Sequence, residues 1–323
     1  MEKTQNMLSD LASDVLQGLT AKPKRLSSRF FYDRQGDRLF QQIMELPEYY
    51  LTRLEYEILV TRKSDIGQLF LNSHQAFDLV DLGAGDAKKT KVLLRELLDR
   101  DAAMRYVPVD ISTNSITALV ENLKVEFPGL EVAPQIGTYH QVLDRLKTSP
   151  ATRRIFLLLG SNIGNLTHDH AIELLSSIKD AMDVGDLLFA GFDQKKDPEM
   201  ILAAYNDSQG ITEQFNKNLL LRINRELGAT FDLDTFKHWP TYDPETGTVK
   251  SFLVSQKQQV VSIPSLKIEI PFRKWESIHM EISQKYDRPL IKRLAEASGL
   301  VVKTAIGDPK GWFKNYIFSK EDS

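Results

Sequence analysis

The chain has 323 residues, 42% hydrophobic and 26% charged, which is enough apolar material for one large or two ordinary globular domains. A formal net charge of -3 gives no global attraction to nucleic acid or to an anionic membrane, so small molecules are the expected partners. With no cysteine, disulfides, thiolate metal sites and cysteine nucleophiles are excluded, and a reducing, cytoplasmic setting fits.

At the N-terminus Leu8, Leu11, Val15 and Leu19 recur at helical intervals among acidic residues, which predicts an amphipathic helix rather than a secretory leader. No segment is long and apolar enough to predict a membrane span. Residues 79–92, LVDLGAGDAKKTKV, read as an apolar strand entering a G-x-G turn and then a charged helix start. A dinucleotide fingerprint would need a third glycine where Lys88 stands, and a phosphate loop fails at the same residue. Asp86, expected at the helix N-terminus, would oppose a pyrophosphate but not a cationic sulfonium. S-adenosylmethionine therefore ranks first as the ligand of Gly83 and Gly85, with an ordinary tight turn as the alternative.

Helical spacing of Leu94, Leu97 and Leu98 is followed by a strand ending in Asp110, and then by a helix carrying Ile116, Leu119, Val120 and Leu123. Asp110 lies 25 residues beyond Gly85, near the spacing at which an acid closing a second strand accepts ribose hydroxyls. Lys89 is a candidate for the cofactor's amino-acid carboxylate, or else an exposed lysine on a solvated face. The runs at 155–160 and 186–192 are apolar enough for strands buried on both faces. A helix from Arg288 to Ser298 should stop at Gly299, ahead of two terminal strands joined by a turn containing Asp308, Pro309 and Gly311.

The alternation breaks at Asp193, where a polar-faced helical stretch and then several alternating strands intervene. The expected fold is α/β: a Rossmann-type methyltransferase domain of residues 61–195 and 286–323, with a discontinuous α+β substrate-binding domain of residues 1–60 and 196–285. In IHMEIS, alternation predicts Ile278, Met280 and Ile282 on one face and His279, Glu281 and Ser283 on the other. A carboxylate beside a hydroxyl can recognise an imidazole, although a merely wet outer face has the same period. His168 and His170 read as a solvated helix start, so no metal site is expected, and there is no G-x-S-x-G nucleophile elbow.

Residues 28–57, SRFFYDRQGDRLFQQIMELPEYYLTRLEYE, together with DLGAGDAKKT, LLLGSNIGNLT, AAYNDSQGITEQFNKNLLLRINRELGATFDLDTF and IHMEISQKY, carry a resemblance over nearly the whole chain. They resemble the L-histidine Nα-methyltransferases of the ergothioneine pathway. The resemblance implies a class I methyltransferase fold and S-adenosylmethionine bound by Gly83, Lys89 and Asp110, with Thr138 and Tyr139 beside the adenine. It implies that Asn165 and Tyr205 hold the substrate carboxylate, that Tyr49, Glu281 and Ser283 surround the imidazole, and that Tyr32 lies near the amine. Two positions depart from the family pattern: Thr138 stands where an aspartate is usual, and Ser251 where a methionine lies against the ring. The implied reaction is trimethylation of the α-amine of histidine; the expected partner is a small-molecule amino-acid substrate, with no nucleic acid or membrane, and the expected state is a monomer. A methyltransferase for another, aromatic amino acid and a non-catalytic cofactor sensor remain the rival readings.

Overall fold

The computed structural model describes residues 2–73, 75–148 and 152–320, with the backbone alone for residues 2–8. The chain divides into two compact units. One comprises the chain up to Tyr50 together with Lys196–Ser283, and the other Leu51–Lys195 together with the chain from Gln284 onward. The first passage thus falls at Tyr50/Leu51, ahead of the 60/61 expected from sequence, because the helix Tyr50–Phe70 is continuous and its Glu55 is anchored in the second unit.

The sheet of the second unit runs in the order Leu300–Gly307, Phe313–Lys320, Leu187–Asp193, Arg153–Leu158, Phe77–Leu82, Met104–Asp110, Glu131–Val132. Neighbours from Leu187–Asp193 to Glu131–Val132 are parallel, whereas Phe313–Lys320 is antiparallel to both of its neighbours. Phe77–Leu82 is buried along its whole length, as its apolar run requires when both sheet faces are covered. Val80, Val107, Phe156, Leu188 and Phe192 pack with Leu174 and Ile178 of the helix His168–Ala181 and with Leu290, Ile291 and Leu294 of the helix Arg288–Ser298. The latter helix is capped by the Asp287 carboxylate on Leu290 N and stops at Gly299, φ +72°, as expected.

Chain order reverses between Phe77–Leu82 and Arg153–Leu158, and such a switch point opens a crevice at the carboxyl ends of the strands. The helix after the glycine turn is Thr90–Leu98, so it begins later than expected. Asp86 accepts from Lys88 N at 3.0 Å inside the preceding turn instead of standing at the helix start.

In the first unit the sheet order is Lys24–Arg25, Ser277–Gln284, Thr248–Ser255, Phe236–Asp243, with a separate hairpin of Gln259–Ile263 and Ile268–Phe272. Leu11, Val15 and Leu19 are buried in its core with Phe215, Leu219 and Ile223 of the helix Ile211–Leu227; the Leu8 side chain lies outside the described residues. Ile278 and Met280 join the same core. Beyond Met280 the expected alternation ends: Glu281 and Ile282 are both half-buried, and Ser283 and Gln284 both buried.

Candidate active site

The glycine turn is fastened to the second strand of the sheet. Gly83 N and Ala84 N donate to Val109 O at 2.9 and 3.1 Å, and Gly85 N reaches the Asp110 carboxylate at 3.3 Å. The other Asp110 oxygen accepts from Ser112 N at 2.9 Å, so the carboxylate is fixed at the strand end with one edge toward the turn. Gly83 has φ +83°, and a Cβ there would lie 2.6 Å from the Tyr139 hydroxyl, so this position needs glycine on both grounds. Nothing approaches within 4 Å of a Cβ built on Gly85. Tyr139 opens the helix Tyr139–Lys147, and its phenol is pushed up to about 12 by burial and by the negative charges of Asp110 and Asp81. Thr138 is the N-cap: its Oγ1 accepts from Gln141 N, its N–H donates to Gln141 Oε1, and its carbonyl accepts from Val142 N. Both backbone groups of Thr138 are therefore engaged in starting the helix.

Lys89 is no solvated lysine. Its Nζ lies 2.6 Å from Oε2 of Glu55, whose side chain is 0% exposed. The same Oε2 accepts from Gly160 N at 2.7 Å, and Oε1 accepts from Asn315 Nδ2 at 3.0 Å. Beneath the turn, Asp81 receives hydrogen bonds from Thr90 Oγ1 and Tyr106 Oη, yet burial raises its pKa to about 6 against their opposing effect, with Glu55 and Asp110 adding negative charge. Asn165 is exposed at the end of the short turn Asn162–Asn165, after the strand Arg153–Leu158.

The remaining candidates lie in the first unit. Tyr32 packs edge-on against Phe40 and Phe215, at ring separations of 5.5 and 5.7 Å, and Phe40 in turn against Tyr49 at 6.4 Å. Tyr49 faces Tyr205 at 6.5 Å, and the buried Tyr205 donates its hydroxyl to Ser283 Oγ at 2.7 Å. Tyr205 sits in the turn just past the helix Pro198–Ala203. Tyr32 is 43% exposed overall, and desolvation, then the charge of Glu281, holds its phenol above its ordinary value. Tyr32, Tyr49, Tyr205, Glu281 and Ser283 are thus gathered in one neighbourhood. Ser251 is buried across from Pro240, in the same row as Val249 and Leu253. His168 and His170 are exposed at a helix start capped by Thr167, and among the described residues no group of acids and histidines could hold a metal.

The donor set fits S-adenosylmethionine. A carboxylate at the end of the second strand suits a ribose diol, Gly85 leaves open space against the backbone, and the partly exposed ammonium of Lys89 suits a carboxylate. With the parallel sheet and its antiparallel terminal pair, these features define a Rossmann-type S-adenosylmethionine-dependent methyltransferase. The chain belongs to the histidine-specific, S-adenosylmethionine-dependent methyltransferase family, whose model it matches over residues 11–320. It is 37% identical to the histidine N-alpha-methyltransferase of Mycolicibacterium smegmatis, over 94% of this chain and 92% of that one. Against the histidine N-alpha-methyltransferase of Mycobacterium tuberculosis the identity is 36%, over 90% and 88%. Ergothioneine biosynthesis protein 1 of Schizosaccharomyces pombe is 26% identical over 92% of this chain and 39% of that longer protein. Among the described residues no helix is long and apolar enough to cross a membrane.

Sequence reasoning passed over Phe40, Phe215 and Glu55. The two phenylalanines stood in stretches already quoted, but helical spacing marks them as ordinary core. Glu55 carries no local signal, since its partners lie at residues 89, 160 and 315.

Proposed function

We propose that this enzyme transfers methyl groups from S-adenosylmethionine to the α-amine of L-histidine three times, giving the trimethyl betaine hercynine, a step toward ergothioneine. The observation that carries the reading is the gathering of Glu281, Ser283 and Tyr205 beside the ring of Tyr32, Phe40 and Tyr49. An imidazole with one N–H and one bare nitrogen asks for an acceptor and a hydroxyl, and Glu281 and Ser283 are of those kinds. In this reading Tyr49 flanks the ring, Tyr205 holds the carboxylate, and the first unit is the substrate-binding part. The second unit is the cofactor-binding part, through Gly83, Gly85, Lys89, Asp110, Thr138 and Tyr139.

S-adenosylmethionine supplies an already activated methyl group, so the chain's task is to place a neutral amine in line with it, a contribution of up to about 7–11 kcal/mol. Tyr32, held well above its ordinary pKa, stays a neutral phenol at physiological pH and orients the amine as a hydrogen-bond partner rather than removing its proton as a phenolate. An α-ammonium titrates near pH 8 in model compounds, so water can take the proton between rounds. A chain without cysteine suits a reducing compartment, and the proposal extends to a cytoplasmic monomer.

The test is mass spectrometry after incubation with S-adenosylmethionine and either histidine or Nα,Nα-dimethylhistidine. Both should end as the trimethyl product. Monomethylhistidine as the sole end product, with the dimethyl compound refused, would refute the reading.

A further inference from the structure

We infer that Glu55 is a positioning residue for the amino-acid end of the cofactor, an inference that rests on Lys89 being the group that receives the cofactor's carboxylate. The Glu55 side chain is wholly enclosed, so it touches no ligand itself. It accepts from three elements at once: Lys89 Nζ on the turn after Phe77–Leu82, Gly160 N on the loop after Arg153–Leu158, and Asn315 Nδ2 on the strand Phe313–Lys320. The first two flank the switch point of the sheet. The fold keeps a place for this carboxylate: Gly191, paired with Asn315, lies so close that a Cβ on it would overlap Glu55 Oε1. Gly160, held by Glu55, has φ +79°, and Ser161 after it is a non-glycine residue in the left-handed region at +55°, so this bond holds the loop next to a strained backbone position.

Two physical consequences follow. A lysine on a four-carbon stem samples many positions, whereas one donor of Lys89 bonded to an immobile carboxylate fixes the ammonium while its other N–H groups can serve a second anion. The cofactor brings one carboxylate but two cations, its ammonium and its sulfonium. A lone lysine would attract the first and repel both others. Paired with Glu55 it makes a neutral unit that keeps the direct contact and cancels the repulsion.

Calorimetry with two probes separates positioning from mere support of the fold: S-adenosylhomocysteine, and 5′-methylthioadenosine, which has the nucleoside and the thioether but no amino-acid end. Wild type should prefer the former. Glu55→Gln should reduce that preference by about tenfold or more, the scale of a charge-assisted hydrogen bond, with 5′-methylthioadenosine binding nearly unchanged. Glu55→Asp should restore part of the preference. Equal weakening of both probes would mean that Glu55 only supports the fold and would overturn the inference, as would an unchanged preference. Lys89→Met distinguishes the premise: if it leaves S-adenosylhomocysteine affinity intact, the Lys89 reading itself has failed. If Lys89→Met weakens that affinity and Glu55→Gln does not, the inference about Glu55 alone has failed. Should Glu55→Gln not fold, Asn315→Ala decides, because it releases Oε1 while leaving the Glu55 charge and Lys89 in place: a reduced preference supports positioning, an unchanged one overturns it.

Discussion

A carboxylate serves an imidazole N–H in a way no apolar ring can reward, because a ring without the donor leaves the carboxylate desolvated and unpaired. Glu281→Ala is therefore expected to lower kcat/KM for histidine by about 10- to 100-fold, the worth of a hydrogen bond to a charged group. Affinity for S-adenosylhomocysteine should stay near wild type, and activity toward phenylalanine or tryptophan should fall less. A well-folded mutant that keeps its preference for histidine would return Glu281 to a solvated sheet face. Asp81 makes a second residue-scale prediction, about pH. Burial raises its folded pKa from 3.8 to about 6, so the folded state holds the proton more tightly than the unfolded chain. The stability this provides is fully present below about pH 4 and is lost as pH rises through about 6. Asp81→Asn cannot ionise. Its stability relative to wild type should rise across that window, by at most about 3 kcal/mol, and then level off. Thermal melts from pH 4.5 to 8 read this directly, and a difference independent of pH would exclude it.

At the scale of elements, the helix Tyr139–Lys147 tests how the glycine turn and its neighbour share work. Thr138 closes a capping box with Gln141, and loss of such a cap typically costs about 1 kcal/mol. Thr138→Ala should lower stability by about that much, whereas Thr138→Asp should keep it, since aspartate caps as well. If both variants melt like wild type, the box contributes nothing. Helix and strand starts of this kind were legible in the sequence where the signal is local. Gly299 ends its helix, the terminal pair is antiparallel, and the apolar run into Gly83 is a buried strand. Legibility failed where a local signal competes with another. Asp86 is expected at the helix N-terminus, but its carboxylate accepts from Lys88 N and Ala87 between them is left-handed at φ +52°, so the helix starts only at Thr90. The alternation around Glu281 ends where the strand runs out of one unit into the other, so period alone could not assign its faces. Glu55 and Phe215 depend on partners far away in sequence, and only the folded chain brings those together.

Over the whole molecule, the chain passes between its two units at Tyr50/Leu51, Lys195/Lys196 and Ser283/Gln284. Two of these passages are tied to one another within the second unit: Lys195 N donates to Tyr286 O at 2.7 Å, Tyr286 N donates to Asp193 O at 2.8 Å, and Gln194 bridges Tyr286 in parallel. Across this tie runs an ion pair, Lys285 Nζ to Asp193 Oδ2 at 3.0 Å, with both side chains 0% exposed. Replacing such a pair by neutral groups of similar size is often nearly free, because the attraction only repays the desolvation of both charges. Removing one partner is different, since it takes the ion-pair partner from a charge that stays buried, at about 3–5 kcal/mol. Lys285→Met should therefore be strongly destabilising, Asp193→Asn likewise, and the double variant Lys285→Met/Asp193→Asn should recover most of the loss. Chemical denaturation of the four proteins gives the coupling, which should be large and of the sign that makes the double variant milder than the sum. Single variants as mild as the double would mean that the charges of the pair are not coupled, and would overturn the prediction.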